Sequence, residues 1–197
     1  MSLMSLFSLL TVPMHVAMVL TALALFSHAA AAQNSIVWTT NYYSVTGANF
    51  REIRQSIAAA RPWPDSFDGD TRWTVKWNFK LSETASGCAC SNVNTATKIV
   101  TTLPRWKPAP NTPPEVQEQW GRFILSLAQH EAGHARLGQA AVADVGKSLG
   151  AAGPQRDCDT LKRSLNDRAN RIVENYRARE KEYDRRTEHG NKPPGTP

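Results

Sequence analysis

From Pro114 to Leu149 nothing in the sequence interrupts a helix, and this run constrains the fold more than any other feature. It follows a connector, Pro104 to Pro114, whose five prolines exclude regular structure. Pro113-Pro114-Glu115 presets the first helical turn, and Thr112 is placed to cap it. Trp120, Phe123, Ile124, Leu127, His134, Leu137, Ala141, Val145 and Leu149 recur at i, i+3, i+4 spacing, which makes one apolar stripe. A helix this long with a single stripe has to be covered along that side by a sheet or another helix. Gly133 and Gly138 lie within it, each costing about 1 kcal/mol relative to alanine. Close approach of a strand or of a substrate is a reason to tolerate them.

His130 and His134 extend the stripe, with Glu131 beside them, as His130-Glu131-Ala132-Gly133-His134. Histidines four apart share one helix face and can reach one metal ion, and the glutamate can reach a water on that ion. Two imidazoles buried without partners would be costly, and a metal satisfies both. The donor set suits Zn2+ or a similar divalent ion held by three protein ligands, with a fourth position open to water. Glu131 would then be the general base and acid of peptide-bond hydrolysis.

The third ligand is less directly written. The metzincin pattern requires glycine three and histidine six residues after the second histidine; Leu137 and Ala140 stand there and exclude it. A glutamate from a following helix could be Glu174 or Glu180, without a supporting pattern around either. Of five histidines, His15 and His28 fall in an apolar leader, which leaves His189 as the expected ligand. Asp184 is the second candidate, as ligand or as a partner to a histidine. Tyr183 is a candidate donor to the oxyanion, and by spacing also a good core residue.

Met1 to Ala32 contains no charged residue and ends in four alanines, the pattern of a secretory signal cleaved near Ala32. The usual basic start is missing, so retention as an N-terminal anchor is the alternative. Either way the expectation is a secreted or periplasmic protein. About 165 residues remain, enough for one domain spanning 33–190; 191–197 reads as a disordered tail. The formal charge of +6 is concentrated late, at Arg168, Arg171, Arg177, Arg179, Lys181, Arg185 and Arg186. A solvated helix face explains it, with weak association to an anionic envelope surface as the second reading. No nucleic-acid motif accompanies it. Of three cysteines, Cys158 should pair with Cys88 or Cys90 in an oxidising compartment, Cys88 being favoured.

Ser35 to Val45 is β-branched and aromatic and reads as one or two short strands. Ala48 to Ala60 has helical spacing and stops at Pro62. Trp73, Val75, Trp77, Phe79 and Leu81 alternate with polar residues in a half-buried strand. Ser86-Gly87 turns the chain, and Val93 to Leu103 returns as an antiparallel partner. After Gly150 to Pro154, Asp159 or Thr160 can start a second long helix that ends at Gly190. The expected fold is α+β, a small antiparallel sheet packed on the long helix and on the second, C-terminal one.

Several of these pieces together resemble a known family. They are Tyr43-Ser44-Val45-x-Gly47 before a helix, the tryptophan-rich strand, a cysteine before the second strand, and Leu103-Pro104-x-Trp106. His130-Glu131-x-Gly133-His134, Cys158 and Tyr183-Asp184-x-x-Thr187-x-His189-Gly190 follow in order. The chain is similar to the bacterial domain of unknown function 922 family, whose members are described as predicted secreted zinc-dependent proteases. The resemblance implies a zincin-like fold and a peptidase-type site, and adds weight to His189; Cys90 is extra to the pattern. The expected function is an exported zinc metallopeptidase acting on peptide or protein substrates. The alternative is an exported zinc-binding envelope protein without turnover.

Overall fold

The computed structural model describes residues 33–190, so the expected leader (1–32) and tail (191–197) lie outside the described residues. Along them run β1 (Gln33–Val45), α1 (Phe50–Ala60), β2 (Asp70–Thr84), β3 (Gly87–Trp106), α2 (Pro114–Gly150) and α3 (Cys158–Thr187). Asn49 caps α1, its side chain accepting from the Glu52 amide at 3.0 Å while Glu52 accepts from the Ala48 amide at 2.8 Å. Ile53 and Ile57 then bury against Val45 and Trp106.

β2 and β3 form the expected antiparallel hairpin, in register at Trp73–Ile99. Its turn ends at Gly87, whose φ of +113° suits glycine. The alternation in β2 works as read: Trp73, Val75, Trp77, Phe79 and Leu81 pack into the core clusters under α2 and α3, while Arg72, Thr74 and Lys76 are exposed. The sheet itself departs from expectation. It is mixed, not antiparallel, with strand order β1-β3-β2 and β1 parallel to β3. The reason is topological. β2 runs opposite to β1 from a position one strand away, and the hairpin folds β3 back into the gap, where it runs in the direction of β1.

Two helix starts also differ. Pro113 itself occupies the cap position of α2 and no side chain caps it. The Thr112 hydroxyl is buried without a partner, and its carbonyl accepts from Gln117 Nε2 at 3.1 Å. α3 is capped by Asp157, two or three residues before the expected start, through the Thr160 amide at 2.8 Å and hydroxyl at 3.0 Å. The Thr160 amide bond is the main reason the Asp157 carboxyl sits below its ordinary range.

Cys88 and Cys158 are disulfide-bonded and tie the start of β3 to the first residue of α3; Cys90 is free. Backbone bonds from Cys88 to Gln155 at 2.7 and 2.9 Å reinforce the junction. With the cysteines 70 positions apart in sequence, opening the bridge should cost about 4 kcal/mol on the chain-entropy account. Thermal unfolding of Cys88→Ser/Cys158→Ser should therefore begin well below that of the parent, and an unchanged midpoint would show that the pairing contributes little. Anchored this way, α2 and α3 pack along Val145, Leu149, Leu161 and Leu165 and on through Ala141 and Tyr176. That packing sets residues 130–134 of α2 opposite 180–187 of α3.

Candidate metal site

His130 and His134 are buried, 3% and 8% exposed, and project from α2 toward α3. The Nε2 atoms of the two rings are 3.3 Å apart. Asp184 Oδ1 lies 3.2 Å from His130 Nε2 and 2.9 Å from His134 Nε2. The three ligand atoms fall within 4.8 Å of one another, so this group could hold a metal ion. The opposite edges of both rings are already engaged. His130 Nδ1 is 3.2 Å from the Thr187 hydroxyl, and His134 Nδ1 is 3.5 Å from Glu180 Oε1. Outer partners of this kind fix the ring orientation and leave the inner nitrogens convergent.

Glu180 is in turn held by Trp73 Nε1 at 2.6 Å and by Arg177 at 2.7 Å. Glu180, Tyr183, Asp184 and Thr187 occupy one face of α3 at i, i+3, i+4, i+7 spacing, which is why one helix supplies all four. In the sequence Thr187 figures only as part of the terminal motif, without a role, although that spacing is there to be read. Tyr183 stacks on the His130 ring at 5.1 Å and donates its hydroxyl to the His130 carbonyl at 3.2 Å. The hydroxyl expected at an oxyanion is thus placed against the α2 backbone.

His189 stands just beyond α3 with φ +54°, its side chain 46% exposed. Its Nδ1 is 3.7 Å from Asp184 Oδ1, and its ring stacks on Phe67 at 4.3 Å. It lies outside the convergent three-atom group, on the rim of the same cavity. Glu174 does not line that cavity. Glu131 does; it is 3% exposed, and its Oε2 is buried without a hydrogen-bond partner. Gly69, at the entry to β2, lies directly over it, since a Cβ there would sit 2.7 Å from Glu131 Oε1. The cavity, about 300 Å³, also has Asp70, Thr71, Arg72 and Lys181 on its walls.

The electrostatics follow from this enclosure. Burial pushes the Glu131 carboxyl up, partly offset by Thr71 and by the charges of His134 and His130. Burial alone would lower the His134 imidazole, but Asp184, Glu180 and Glu131 raise it to about 10. For Asp184 burial acts upward, and the two histidines overcome it and hold the carboxyl well below its usual range.

Fold and site together define an α+β protein with a His-His-Asp group able to hold a metal beside a buried glutamate. Residues 40–190 match a family model described as bacterial protein of unknown function (DUF922), and the chain belongs to that family. No curated protein and no solved structure matches it.

Proposed function

We propose that the protein is an exported, zincin-like zinc metallopeptidase. The observation that carries this reading is the orphaned Oε2 of Glu131, buried in the same cavity as the three convergent donors. A buried carboxylate oxygen without a partner is costly to keep, and neither folding nor a closed structural metal site requires one.

The residues present fit zinc. Three donors about 2.0–2.2 Å from an ion in a tetrahedral arrangement stand about 3.3 Å apart, and the separations found are 3.3, 3.2 and 2.9 Å. His130, His134 and Asp184 would hold it, and when bound it supplies Lewis acidity toward a peptide carbonyl and toward water. Glu131 takes a proton from the attacking water and delivers it to the leaving amine. Desolvation suits that task, because burial raises the carboxyl above its ordinary range and makes it a stronger base toward water. Gly69 and the cavity walls restrict bulk water around it. Export is part of the reading, and the Cys88–Cys158 bridge suits an oxidising compartment.

The test combines metal analysis of the purified protein with a chelator-sensitive digest of a peptide library. About one zinc per chain and cleavage abolished by chelator are expected; zinc without cleavage would turn the reading to a zinc-binding envelope protein. The ligand assignment has its own test. Asp184→Ala should lose the metal, whereas His189→Ala should keep it and alter substrate affinity at the rim. Metal lost only in His189→Ala would move the third ligand to His189.

A further inference from the structure

Along β2 the residues that face the helices are apolar at Trp73, Val75, Trp77, Phe79 and Leu81, and all five pack into the core. The next position of that series, toward the start of the strand, is Thr71, a hydroxyl where the alternation calls for a hydrophobe. Its cross-strand partner on β3, Thr101, is 4% exposed, so a second hydroxyl is buried beside the first. Burying a hydroxyl is costly unless it is hydrogen-bonded. The two Oγ1 atoms lie 3.1 Å apart, and Trp38 Nε1 of β1 donates to Thr101 Oγ1 at 3.1 Å. Each strand thus contributes one polar group to a chain that ends at Thr71.

That chain leads to Glu131. Gly69 stands two residues before Thr71, the interval that returns a strand to the same face, and a Cβ at Gly69 would sit 2.7 Å from Glu131 Oε1. Both residues line the cavity that holds Glu131. The hydrogen bond from Thr71 is the largest of the influences that offset burial at that carboxyl, ahead of the charges of His134 and His130. The direction of the protons follows from the far end. An indole N–H can only donate, so Thr101 accepts from Trp38 and has its own proton to give. Given to Thr71, it frees the Thr71 proton for the carboxylate, which can only accept.

We propose that Thr71 is a positioning residue for Glu131, an inference that rests on the metallopeptidase reading. Its hydroxyl, set by Thr101 and Trp38, holds the carboxylate beneath Gly69 and keeps Oε2, the oxygen without a partner, turned to the attacking water. A base held this way meets the water in one orientation. Without the hydroxyl the carboxylate is free to rotate, and proton transfer loses the alignment on which its rate depends. Thr71 touches neither the donors of the metal group nor the reacting atoms in this role and acts through Glu131 alone.

The test measures zinc content, kcat and KM of the full-length chain on the library peptide that the parent cleaves fastest. Thr71→Val keeps the shape and loses the hydroxyl. Its kcat should fall about tenfold, the worth of one hydrogen bond to a charged group, with KM, zinc content and circular dichroism as in the parent. Thr71→Ser should recover most of the loss. Trp38→Phe, which removes the indole N–H and leaves both hydroxyls, should lower kcat about two- to threefold. Full kcat in Thr71→Val, or a Thr71→Ser variant as slow as Thr71→Val, would overturn the proposal. So would loss of zinc, or a changed KM with kcat intact, which would make Thr71 a structural or a substrate-binding residue. Parental kcat in Trp38→Phe would overturn the share given to the indole. A parent that holds zinc and cleaves no peptide overturns the metallopeptidase reading and this inference with it, an outcome distinct from the others.

Discussion

Replacing Glu131 with glutamine is expected to reduce peptide hydrolysis by about 10²–10⁴-fold, the usual contribution of a positioned general base, while zinc content stays near that of the parent. The separation of the two effects follows from the geometry. Glu131 is not among the three convergent atoms, so losing its charge leaves His130, His134 and Asp184 intact. Glutamine matches its shape beneath Gly69, where a Cβ would sit within 2.7 Å of the carboxylate, so no repacking is needed. The variant should also be no less stable than the parent. The native carboxyl is buried with one oxygen unpartnered, and a neutral amide is cheaper to desolvate. Functional groups held in an unfavourable environment commonly show this opposition between stability and activity. Paired measurements of zinc, cleavage rate and melting temperature check it. Full activity in Glu131→Gln would remove the carboxylate from the mechanism, and loss of zinc would make it a structural part of the site.

How far the sequence could be read divides along physical lines. Periodicity is a local property, so α2 with its stripe, the alternating β2 and the hairpin turn at Gly87 were all visible in it. Strand pairing is not local. Nothing in Gln33–Val45 says that it runs parallel to β3, because the partner is decided by where the hairpin folds back. The start of α2 was misread for a simpler reason: with two successive prolines, the first takes the cap position and displaces Thr112. At the site, the i, i+4 spacing of His130 and His134 was enough to place both rings on one face. Glu180, Asp184 and Thr187 were harder, because their relation to the histidines depends on how α3 packs back on α2. The Gly69 contact with Glu131 joins two segments distant in sequence and left no trace in either.

Gly133 and Gly138 of α2 are more informative than their helix propensity suggests, and they lead to the second large effect. Gly138 admits Trp73 of β2, a Cβ there falling 2.6 Å from the indole, which is the strand approach the sequence suggested. Gly133 admits no strand and no substrate but Tyr183 of α3: a Cβ would lie 2.1 Å from its hydroxyl and 2.3 Å from the ring carbon that bears it. Gly133→Ala should therefore be destabilising by about 1–3 kcal/mol, the usual cost of overpacking, although alanine gains about 1 kcal/mol in helix propensity. The same substitution at Gly121, where nothing lies within 4 Å, should stabilise by up to about 1 kcal/mol. Opposite signs in one helix isolate packing from propensity. The consequence at the site is larger than the loss of stability. Tyr183 is followed directly by Asp184, so pushing the ring off Gly133 moves Oδ1 away from both Nε2 atoms, and zinc affinity should fall about 10–100-fold, as for other lost supporting contacts. Tyr183→Ala on the Gly133→Ala background relieves the overlap and should recover part of the zinc binding. If Gly133→Ala binds zinc as the parent does, α3 is free to shift without carrying Asp184, and the close packing of the two helices at Gly133 does not set the position of the third donor.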